Sequence, residues 1–492
     1  MLRYSPRTKP FPHQTRGSIA LARRKNYALF FEPRLGKTKT ALDAVGMLFL
    51  AGRIRRVLVM GPLRSLDVWE QQIRKHYPFR VDCQDYESEW TLNPTRSTGP
   101  TSHGTEIFFL NYEKARYRVR TRRGWAYPYL KEVERWDPDL IILDESHRLK
   151  RAGGVTAQGT WRMVRRLRKR RGLVGGPPYV CLLTGTPNPK GWIDLFAQFR
   201  IIDEEIFGTD KASFEEDHVT YGRGPMKYSV VKYRNVPRIL EAVATHSMTC
   251  TAEEAGLAGE QFWQDLSITL PPKARKAYEE MAEEFIAEIE GTVVSAANPA
   301  VKRLRLLQIT GGFTTDGQQI HREKVKALSD YATDLWAQDE HVLVYCRYLP
   351  EVAACAHALE ALGYPTVDLY GGTGRRAFSD AVRRFQRAQS PHALVFQVQT
   401  GSLSIELAAS AEVVIYSPPD GWENYFQCLQ RVMGPNQKRP VRYTHILARH
   451  TMDGPVMASL AKKEDYHATL LKNPRRFLYG YSDDGDYDDV IQ

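Results

Sequence analysis

The segment from Gly36 to Thr38 has the residue types and spacing of a phosphate-binding loop. An apolar run at 27–31 precedes it and residues 41–45 continue with helical spacing, so the loop is predicted to join a strand to a helix. The first backbone N–H groups of a helix are unpaired and can cradle a phosphate. Gly36 lets the backbone approach closely, Lys37 adds a cation, and the Thr38 hydroxyl suits Mg²⁺. The segment therefore predicts a nucleotide site.

The match to a complete phosphate loop has one defect. The full pattern places glycine five residues before Gly36, where this chain has Phe31. Taken alone, the segment leaves two interpretations equally open, a nucleotide site and an ordinary strand–helix junction. Gln14 lies about twenty residues upstream, and its two-sided amide could read the edge of an adenine. A single glutamine is more often a surface residue, so its role depends on the rest of the chain.

Two adjacent carboxylates, Asp144 and Glu145, follow the apolar run 140–143. The run predicts a buried strand, and ligands bind at the carboxyl ends of the strands in a parallel sheet. Asp144 is suited to hold Mg²⁺ through water, and Glu145 to polarise the water that attacks a γ-phosphate. The alternative is a pair that caps the next helix. A long apolar strand that ends in Asp-Glu, about a hundred residues after Lys37, disfavours that alternative.

A further apolar run, 179–183, ends in small hydroxyl residues. Thr184 and Thr186 could form hydrogen bonds with Asp144, Glu145 or His147, and so report the state of a bound nucleotide to other parts of the chain. As a bare turn signal, the sequence 184–187 would be only a weak indication of such a role.

The net charge of +12 favours a polyanionic partner. Arginines are concentrated in two segments, the first basic block at 116–123 and the second basic block at 162–171. Tyr117 and Trp125, in and beside the first basic block, could stack on bases at a fork or junction. The alternative for either block is a solvated charged surface. The opposite charge appears near the end of the chain, where five aspartates lie between 483 and 489.

Composition limits the class of protein. The chain has 492 residues, which is too long for one core and predicts two or three domains. Hydrophobic and charged contents of 42% and 26% are typical of soluble globular proteins. No apolar stretch approaches the roughly 20 residues that cross a bilayer, and the start lacks the apolar core of a signal peptide. Six cysteines without metal-binding spacing indicate a reducing cytoplasm.

Strands and helices are predicted to alternate in two regions of the chain. The first region covers 1–205 and contains the phosphate loop, and the second covers 321–475. Between them, 206–320 is rich in charged, helix-forming residues and predicts a mostly helical connection, while 476–492 is an acidic tail. The predicted fold class is α/β, with two parallel-sheet domains in tandem joined by that connection.

The order of these motifs resembles that of superfamily 2 helicases, and within them the Swi/Snf-like DNA translocases of small phage or bacterial type. The resemblance extends from Phe11 to about Lys463. It implies two RecA-like domains, ATP and Mg²⁺ as cofactors, and DNA, duplex or branched, as a partner in preference to RNA. It also implies a monomer, without membrane contact, in the cytoplasm of a bacterial or phage-infected cell. The motifs that carry it lie at 11–14, 35–38, 144–150, 183–187, 370–373, 399–402 and 427–437.

The resemblance assigns roles to residues of both predicted domains. The catalytic residues would be Lys37, Asp144, Glu145 and Arg431. The nucleotide would be bound by Gln14, Gly36, Lys37, Thr38 and Gln427, with Thr38 and Asp144 as metal ligands. Contact with nucleic acid, and its coupling to ATP, would involve Thr184, Thr186, Thr400, Gly401, Arg118, Arg120, Arg122 and Arg123.

Departures from the family pattern keep other functions open. Arg34 replaces a usual glycine of the phosphate loop, and Ser402 and Ser404 replace glycines of the coupling loop in the second domain. The last motif usually offers two arginines three residues apart. Only Arg431 is present here, and Gly434 occupies the second position.

The implied function is a nucleic-acid-dependent ATP hydrolase that moves along or remodels duplex or branched DNA. An arginine finger contributes on the order of 10³-fold or more to hydrolysis, so the loss of one predicts a slow enzyme unless Arg431 suffices or Arg439 substitutes. A catalytically weak nucleic-acid-binding scaffold and an RNA-directed helicase are the alternatives. The acidic tail could compete with DNA for a basic groove, contact a protein partner, or act only as a solubilising end.

Overall fold

The computed structural model of the chain describes residues 4–85, 104–122, 124–172, 178–188, 191–222, 230–289, 299–397, 407–419, 421–454, 456–457 and 460. Within these ranges the chain divides into two compact units. The first unit contains the described residues up to Gly256, and the second begins at Leu257. Three predicted site residues, Arg123, Thr400 and Gly401, lie outside the described residues, as do Ser402, Ser404 and the acidic tail.

Strands of the first unit form one large parallel sheet and two small pairs. The strands are β1 (Asn26–Phe31), β2 (Arg56–Gly61), β3 (Val81–Asp85), β4 (Thr105–Asn111), β5 (Val119–Thr121), β6 (Gly124–Ala126), β7 (Leu140–Asp144), β8 (Tyr179–Leu183), β9 (Val219–Tyr221), β10 (Val230–Tyr233) and β11 (Ser247–Cys250). Seven of them pair in parallel in the order β11-β1-β8-β7-β2-β4-β3. β5 pairs with β6, and β9 with β10, both antiparallel.

Helices cover the apolar strands of this sheet. Leu29, Leu58 and Ile141 are fully enclosed, which explains why their strands read as continuous apolar runs. Because the strands are parallel, their carboxyl ends meet at one edge, which we call the first carboxyl edge. The helices are α1 (Pro12–Arg23), α2 (Lys37–Leu50), α3 (Leu63–His76), α4 (Tyr112–Ala115), α5 (Pro128–Trp136), α6 (Val155–Arg171), α7 (Ile193–Ile202), α8 (Glu204–Phe207), α9 (Lys211–His218) and α10 (Val236–His246), with a 3-10 turn at Ser146–Leu149.

A second parallel sheet organises the second unit. Its strands are β12 (Gln261–Ile268), β13 (Val342–Cys346), β14 (Thr366–Leu369), β15 (Ala393–Gln397), β16 (Glu412–Ile415) and β17 (Val441–Ala448), in the order β12-β17-β16-β13-β15-β14. Its helices are α11 (Pro272–Ile289), α12 (Pro299–Gly311), α13 (Glu323–Ala337), α14 (Leu349–Ala361), α15 (Arg375–Arg387) and α16 (Trp422–Leu429). The predicted α/β fold with two parallel sheets is confirmed. No helix in the described ranges is both long and apolar enough to cross a membrane.

The predicted connection, 206–320, contributes to both sheets. It contains the helices α9 to α12, as the sequence predicts, but β11 within it is an edge strand of the first sheet and β12 an edge strand of the second. The division between the two units falls at Gly256, inside this segment. β11 has four residues, and its place is decided by pairing with β1, which lies more than two hundred residues away in the chain. The predicted boundaries at 205 and 321 remain a prediction about separate folding units.

Candidate nucleotide site

The phosphate-binding loop joins β1 to α2 at the first carboxyl edge. β1 ends at Phe31, and α2 begins at Lys37 with Gly36 as its N-cap. Gly36 has a φ of +79°, in the left-handed region that favours glycine. A Cβ atom at this position would lie 2.2 Å from the side-chain Nε2 of Gln14. Arg34, where the family has glycine, also has a positive φ, of +69°. The loop therefore keeps the backbone of a phosphate loop despite the arginine.

Two side chains from α1 hold this loop in place. The Nε2 of Gln14 donates to the carbonyl oxygen of Leu35 at 3.1 Å, and Nε2 of His13 lies 2.8 Å from the same oxygen. The backbone N–H of Phe11 donates to Oε1 of Gln14 at 3.1 Å. Both ends of the Gln14 amide are thus used within the protein, and Gln14 is buried. The structure gives it a positioning contact with the loop, in addition to the predicted reading of adenine, which stays a prediction.

Lys37 folds back over the loop it belongs to. Its Nζ donates to the carbonyl oxygens of Phe31, at 2.9 Å, and Glu32, at 3.3 Å. Burial lowers the pKa of Lys37, while the negative charges of Glu145 and Asp144 act to raise it. A phosphate is a stronger acceptor than these two carbonyls, so the ammonium is placed to exchange them for phosphate oxygens.

Asp144 ends β7 and is buried, with both of its carboxylate oxygens in hydrogen bonds. Trp69 Nε1 donates to Oδ2 at 2.9 Å, and the backbone N–H of Glu145 donates to Oδ1 at 3.1 Å. Burial, with the neighbouring charge of Glu145, raises the pKa of Asp144 to about 6, and the Trp69 bond opposes that rise. A buried carboxylate with a fixed orientation and a raised pKa is stabilised by a cation, so this group fits the predicted role of a magnesium ligand.

Glu145 stands in a backbone conformation that is unusual for its residue type. Its φ is +49°, immediately before the 3-10 turn that begins at Ser146. Its Oε2 lies 3.4 Å from Nδ1 of His147. Non-glycine residues in the left-handed region are uncommon, and such strained positions cluster at functional sites. The side chain of Glu145 is partly exposed.

The hydroxyl groups after β8 contact His147, one of the three partners expected from the sequence. Nδ1 of His147 lies 2.9 Å from Oγ1 of Thr184 and 3.3 Å from Oγ1 of Thr186. Thr186 also donates its backbone N–H to the Thr184 hydroxyl at 3.1 Å. A Cβ on Gly185 would lie 2.9 Å from Cδ of Pro33, so this segment also packs against the phosphate loop. Thr184, Thr186 and His147 therefore join the loop to residues 144–149, which we call the carboxylate turn.

Sequence reasoning did not identify two aromatic residues that position Asp144. Trp69 of α3 binds the carboxylate, and the hydroxyl of Tyr112 donates to the backbone carbonyl of Asp144 at 2.7 Å. Tyr112 directly follows β4, so it stands at the same carboxyl edge, and a polar-tipped ring at that point is the signal that could have found it. Trp69 offered no such signal, because it reads as the apolar face of a helix.

The second unit contains Arg431 and Gln427. Gln427 lies in α16, and Arg431 is buried shortly after the end of that helix, with its backbone carbonyl accepting from Leu407. Gly434 has a φ of +135°, so the position of the missing arginine has a backbone that favours glycine. Arg439 donates to both carboxylate oxygens of Glu340, at 2.6 and 2.7 Å. Because Glu340 precedes β13, Arg439 lies at the amino edge of the second sheet, opposite its carboxyl edge.

The two basic blocks differ in their partners. In the second basic block Arg166 binds Glu134, and Arg170 and Arg171 bind Asp137. The arginines of the first basic block that the structure describes are exposed and form no ion pair with the described residues. The second block thus contributes ion pairs that join α6 to α5 and to the residues just after it, and the first block keeps its charge available.

Together, a parallel α/β sheet, a phosphate loop after β1 and two carboxylates at the end of β7, two strands away in the same sheet, define a P-loop type of nucleotide-binding protein. The family model described as SNF2-related domain matches residues 15–244, which make up most of the first unit. Residues 15–244 are therefore similar to SNF2-related domains, and the resemblance to Swi/Snf-like proteins of superfamily 2 is confirmed.

The chain is similar to several known proteins. It is 24% identical to protein p41 of Acyrthosiphon pisum secondary endosymbiont phage 1, over 97% of this chain and 100% of that protein. It is 21% identical to the Mus musculus DNA annealing helicase and endonuclease ZRANB3, over 97% of this chain but only 42% of that protein. The solved Sulfolobus solfataricus SWI2/SNF2 ATPase core in complex with dsDNA is 17% identical, with a TM-score of 0.42, and the match covers 100% of this chain and 98% of that one.

Proposed function

We propose that the chain is an ATP-dependent DNA translocase of superfamily 2, which couples ATP hydrolysis to movement on, or remodelling of, duplex or branched DNA. The observation that carries this proposal is the meeting of Lys37, Asp144 and Glu145 at one edge of the first sheet, within an SNF2-related domain. The name of the mouse relative, a DNA annealing helicase, favours DNA over RNA as the partner. The similarity to a phage protein supports action in the cytoplasm of an infected bacterial cell. That the chain acts as a monomer stays a prediction.

The nucleotide would be held mainly by the phosphate loop. The backbone N–H groups that follow Gly36 and the ammonium of Lys37 would bind the phosphates, after Lys37 leaves the carbonyls of Phe31 and Glu32. Thr38 and Asp144 would hold Mg²⁺, which when bound neutralises charge on the phosphate oxygens. Gln14 and Gln427 complete the proposed set of nucleotide-binding residues.

Glu145 would orient the attacking water and accept its proton. Nδ1 of His147 lies near both the Glu145 carboxylate and the hydroxyls of Thr184 and Thr186. A change in the contacts of Glu145 during hydrolysis would therefore reach the segment after β8. Thr184 and Thr186 would couple the nucleotide to DNA, together with Thr400 and Gly401.

Arg431 would act as the arginine finger, the cation that stabilises charge on the γ-phosphate in the transition state. Two observations favour Arg431 over other cations of the last motif. Gly434 has a backbone conformation that disfavours an arginine, and Arg439 is held by Glu340 at the amino edge of the second sheet. The single finger also favours a second candidate function, a catalytically weak nucleic-acid-binding scaffold.

The DNA backbone would be bound by Arg118, Arg120, Arg122 and Arg123 of the first basic block. The described members of this set are exposed and keep their charge available, which is what contact with phosphates of any sequence requires. The second basic block is a weaker candidate, since three of its arginines already bind Glu134 and Asp137.

ATP hydrolysis measured without nucleic acid and with three different nucleic acids tests the proposal. The full chain would be assayed with no nucleic acid, with duplex DNA, with single-stranded DNA and with RNA, beside the Lys37→Ala variant. The proposal predicts stimulation by duplex or branched DNA that Lys37→Ala abolishes. Stimulation by RNA in preference to DNA would identify an RNA-directed helicase. DNA binding without hydrolysis above the Lys37→Ala level would identify a scaffold.

A further inference from the structure

The antiparallel hairpin β5–β6 presents a ring between two cations on one face. Arg120 lies directly opposite Trp125 in the hairpin register, and opposite residues of a pair share a face. Arg118 lies two residues before Arg120 and so is on the same face. Its Cζ atom is 4.1 Å from the centre of the Trp125 ring, the distance of a cation stacked on an aromatic face.

The Trp125 ring is exposed to solvent. Trp125 is 49% exposed, and Tyr117, just before the hairpin, is 52% exposed. A large ring exposed to solvent forgoes the stabilisation of burial, and this one stands among arginines that form no ion pair within the described part of the chain. Indole rings and planar guanidinium groups are the side chains on which nucleic-acid bases stack. The chemistry of the face therefore fits an anionic ligand that also carries flat rings.

The hairpin is rooted at the first carboxyl edge. The chain leaves β4 at Asn111, whose side chain caps α4, and passes through the buried Ala115 before it enters the hairpin. It returns through the buried Tyr127 to α5. Tyr112, at the start of the segment that connects β4 to the hairpin, donates its hydroxyl to the carbonyl of Asp144. The exposed face is thus anchored on both sides, and one of its anchors contacts the carboxylate turn.

We propose that the hairpin β5–β6 is a binding site for unpaired bases at a junction of single-stranded and duplex DNA, with a base stacked on Trp125 and the adjoining phosphates on Arg118 and Arg120. Bases inside a duplex are stacked on each other and offer no ring face, so a site for duplex backbone would need the arginines alone. The tryptophan gives the site its preference for unpaired bases. This inference rests on the proposed function and specifies which DNA structure the protein recognises.

Binding of two matched DNAs to the full chain, without nucleotide, tests the inference. One DNA is a blunt duplex, and the other has the same duplex with a forked end. Wild-type protein is expected to prefer the fork, and Trp125→Ala to lower affinity for the fork by about tenfold while affinity for the blunt duplex changes less than about twofold. Trp125→Phe, which keeps a ring, should retain most of the preference. Trp336→Ala, which removes an exposed tryptophan from α13, is the matched control and should behave as wild type.

A charge-conserving variant separates stacking from electrostatics. Arg118→Lys keeps the cation but loses the plane that stacks on Trp125, so it should weaken fork preference while the slope of log affinity against log salt stays unchanged. Equal affinity of the wild-type protein for fork and duplex, or equal losses on both DNAs in Trp125→Ala with an unchanged melting temperature, would overturn the inference. The face would then be a backbone site or a site for an acidic protein. DNA-stimulated ATP hydrolysis is measured separately, so the proposed function can stand when this inference fails.

Discussion

The carboxyl edges of the two sheets carry similar residue types in opposite arrangements. At the first carboxyl edge, Lys37 and Asp144 form no ion pair with any described residue, and burial shifts both of their pKa values toward the uncharged form. At the second carboxyl edge, formed by the carboxyl ends of the second sheet, Lys324 is fully buried and its Nζ lies 2.7 Å from Oδ2 of Asp453. A lysine and an aspartate are thus kept apart in the first unit and form an ion pair in the second.

The groups of the second carboxyl edge close the ends of the strands. Lys324 donates to the carbonyl of Tyr416, just after β16, and Asp453 accepts the backbone N–H of Ala448, the last residue of β17. Glu351 accepts the backbone N–H of Arg347, just after β13, at 3.0 Å. Burial raises the pKa of Glu351, and its hydrogen bonds oppose the rise. These contacts connect neighbouring strands, so we infer that Lys324, Asp453 and Glu351 serve stability.

The difference shows how the two kinds of site can be recognised. Where a buried charge binds another charge and strand-end backbone groups, its removal should damage the fold. Where charged groups at a strand end form no ion pair with each other, as at Lys37 and Asp144, and a strained residue such as Glu145 stands beside them, they are available to a ligand. Substitutions can separate charged groups that stabilise the fold from charged groups that act on a ligand.

The largest effect is expected from Arg431→Ala, because Arg431 is the residue of the second unit that we assign to chemistry. Loss of an arginine finger should lower kcat on the order of 10³-fold or more, with little change in ATP affinity, since the finger acts in the transition state. The measurement is steady-state hydrolysis with saturating DNA. Arg439→Ala is the control and should keep the wild-type rate. A normal rate in Arg431→Ala would remove the finger role from that residue.

Breaking the buried Lys324–Asp453 pair at the second carboxyl edge should destabilise the fold rather than remove a catalytic group. Lys324→Met leaves Asp453 charged and buried, which costs about 3–5 kcal/mol of unfolding free energy. Chemical denaturation followed by circular dichroism measures it. The double variant Lys324→Met with Asp453→Leu removes both charges and should recover part of the loss. An unchanged denaturation midpoint in the single variant would contradict the structural role of this edge.

Lys37→Ala is the counterpart at the first carboxyl edge. We expect hydrolysis to fall on the order of 10²–10³-fold, because a cation aimed at the phosphates is lost. We expect no loss of thermal stability, since Lys37 donates to loop carbonyls and forms no ion pair with any described residue. Melting with and without ATP separates the two effects. A melting temperature well below that of the wild type, without nucleotide, would make Lys37 a stability residue like Lys324.

The smallest effect is expected from Gly434→Arg, which restores the residue type of the family pattern. The φ of +135° at this position disfavours an arginine, and the strain should cost on the order of 1–3 kcal/mol of stability. The hydrolysis rate should not rise, because the backbone conformation at this position favours glycine and does not favour placing an arginine side chain at the nucleotide. A rate increase in this variant would mean that the loop adapts and that the single finger limits the enzyme.

Local patterns predicted the fold class and the chemical residues of the first carboxyl edge. The strand before Gly36 and the strand before Asp144 are continuous in sequence, so their type and their carboxyl ends could be read directly. The contact of Gln14 with Leu35 could not be predicted from the sequence, because it depends on how α1 packs against the loop. The same holds for the second basic block, whose partners Glu134 and Asp137 lie about thirty residues upstream in another part of the unit.

Glu145→Gln tests whether the first carboxyl edge hydrolyses ATP. The amide keeps the shape of the side chain but cannot accept a proton from the attacking water. Single-turnover hydrolysis with saturating duplex DNA would be measured beside binding of a fluorescent ATP analogue. We predict nucleotide affinity close to that of the wild type and hydrolysis slowed on the order of 10²-fold or more. Hydrolysis by Glu145→Gln at the wild-type rate would mean that Glu145 does not accept a proton from the attacking water and would contradict ATP hydrolysis by the proposed residues.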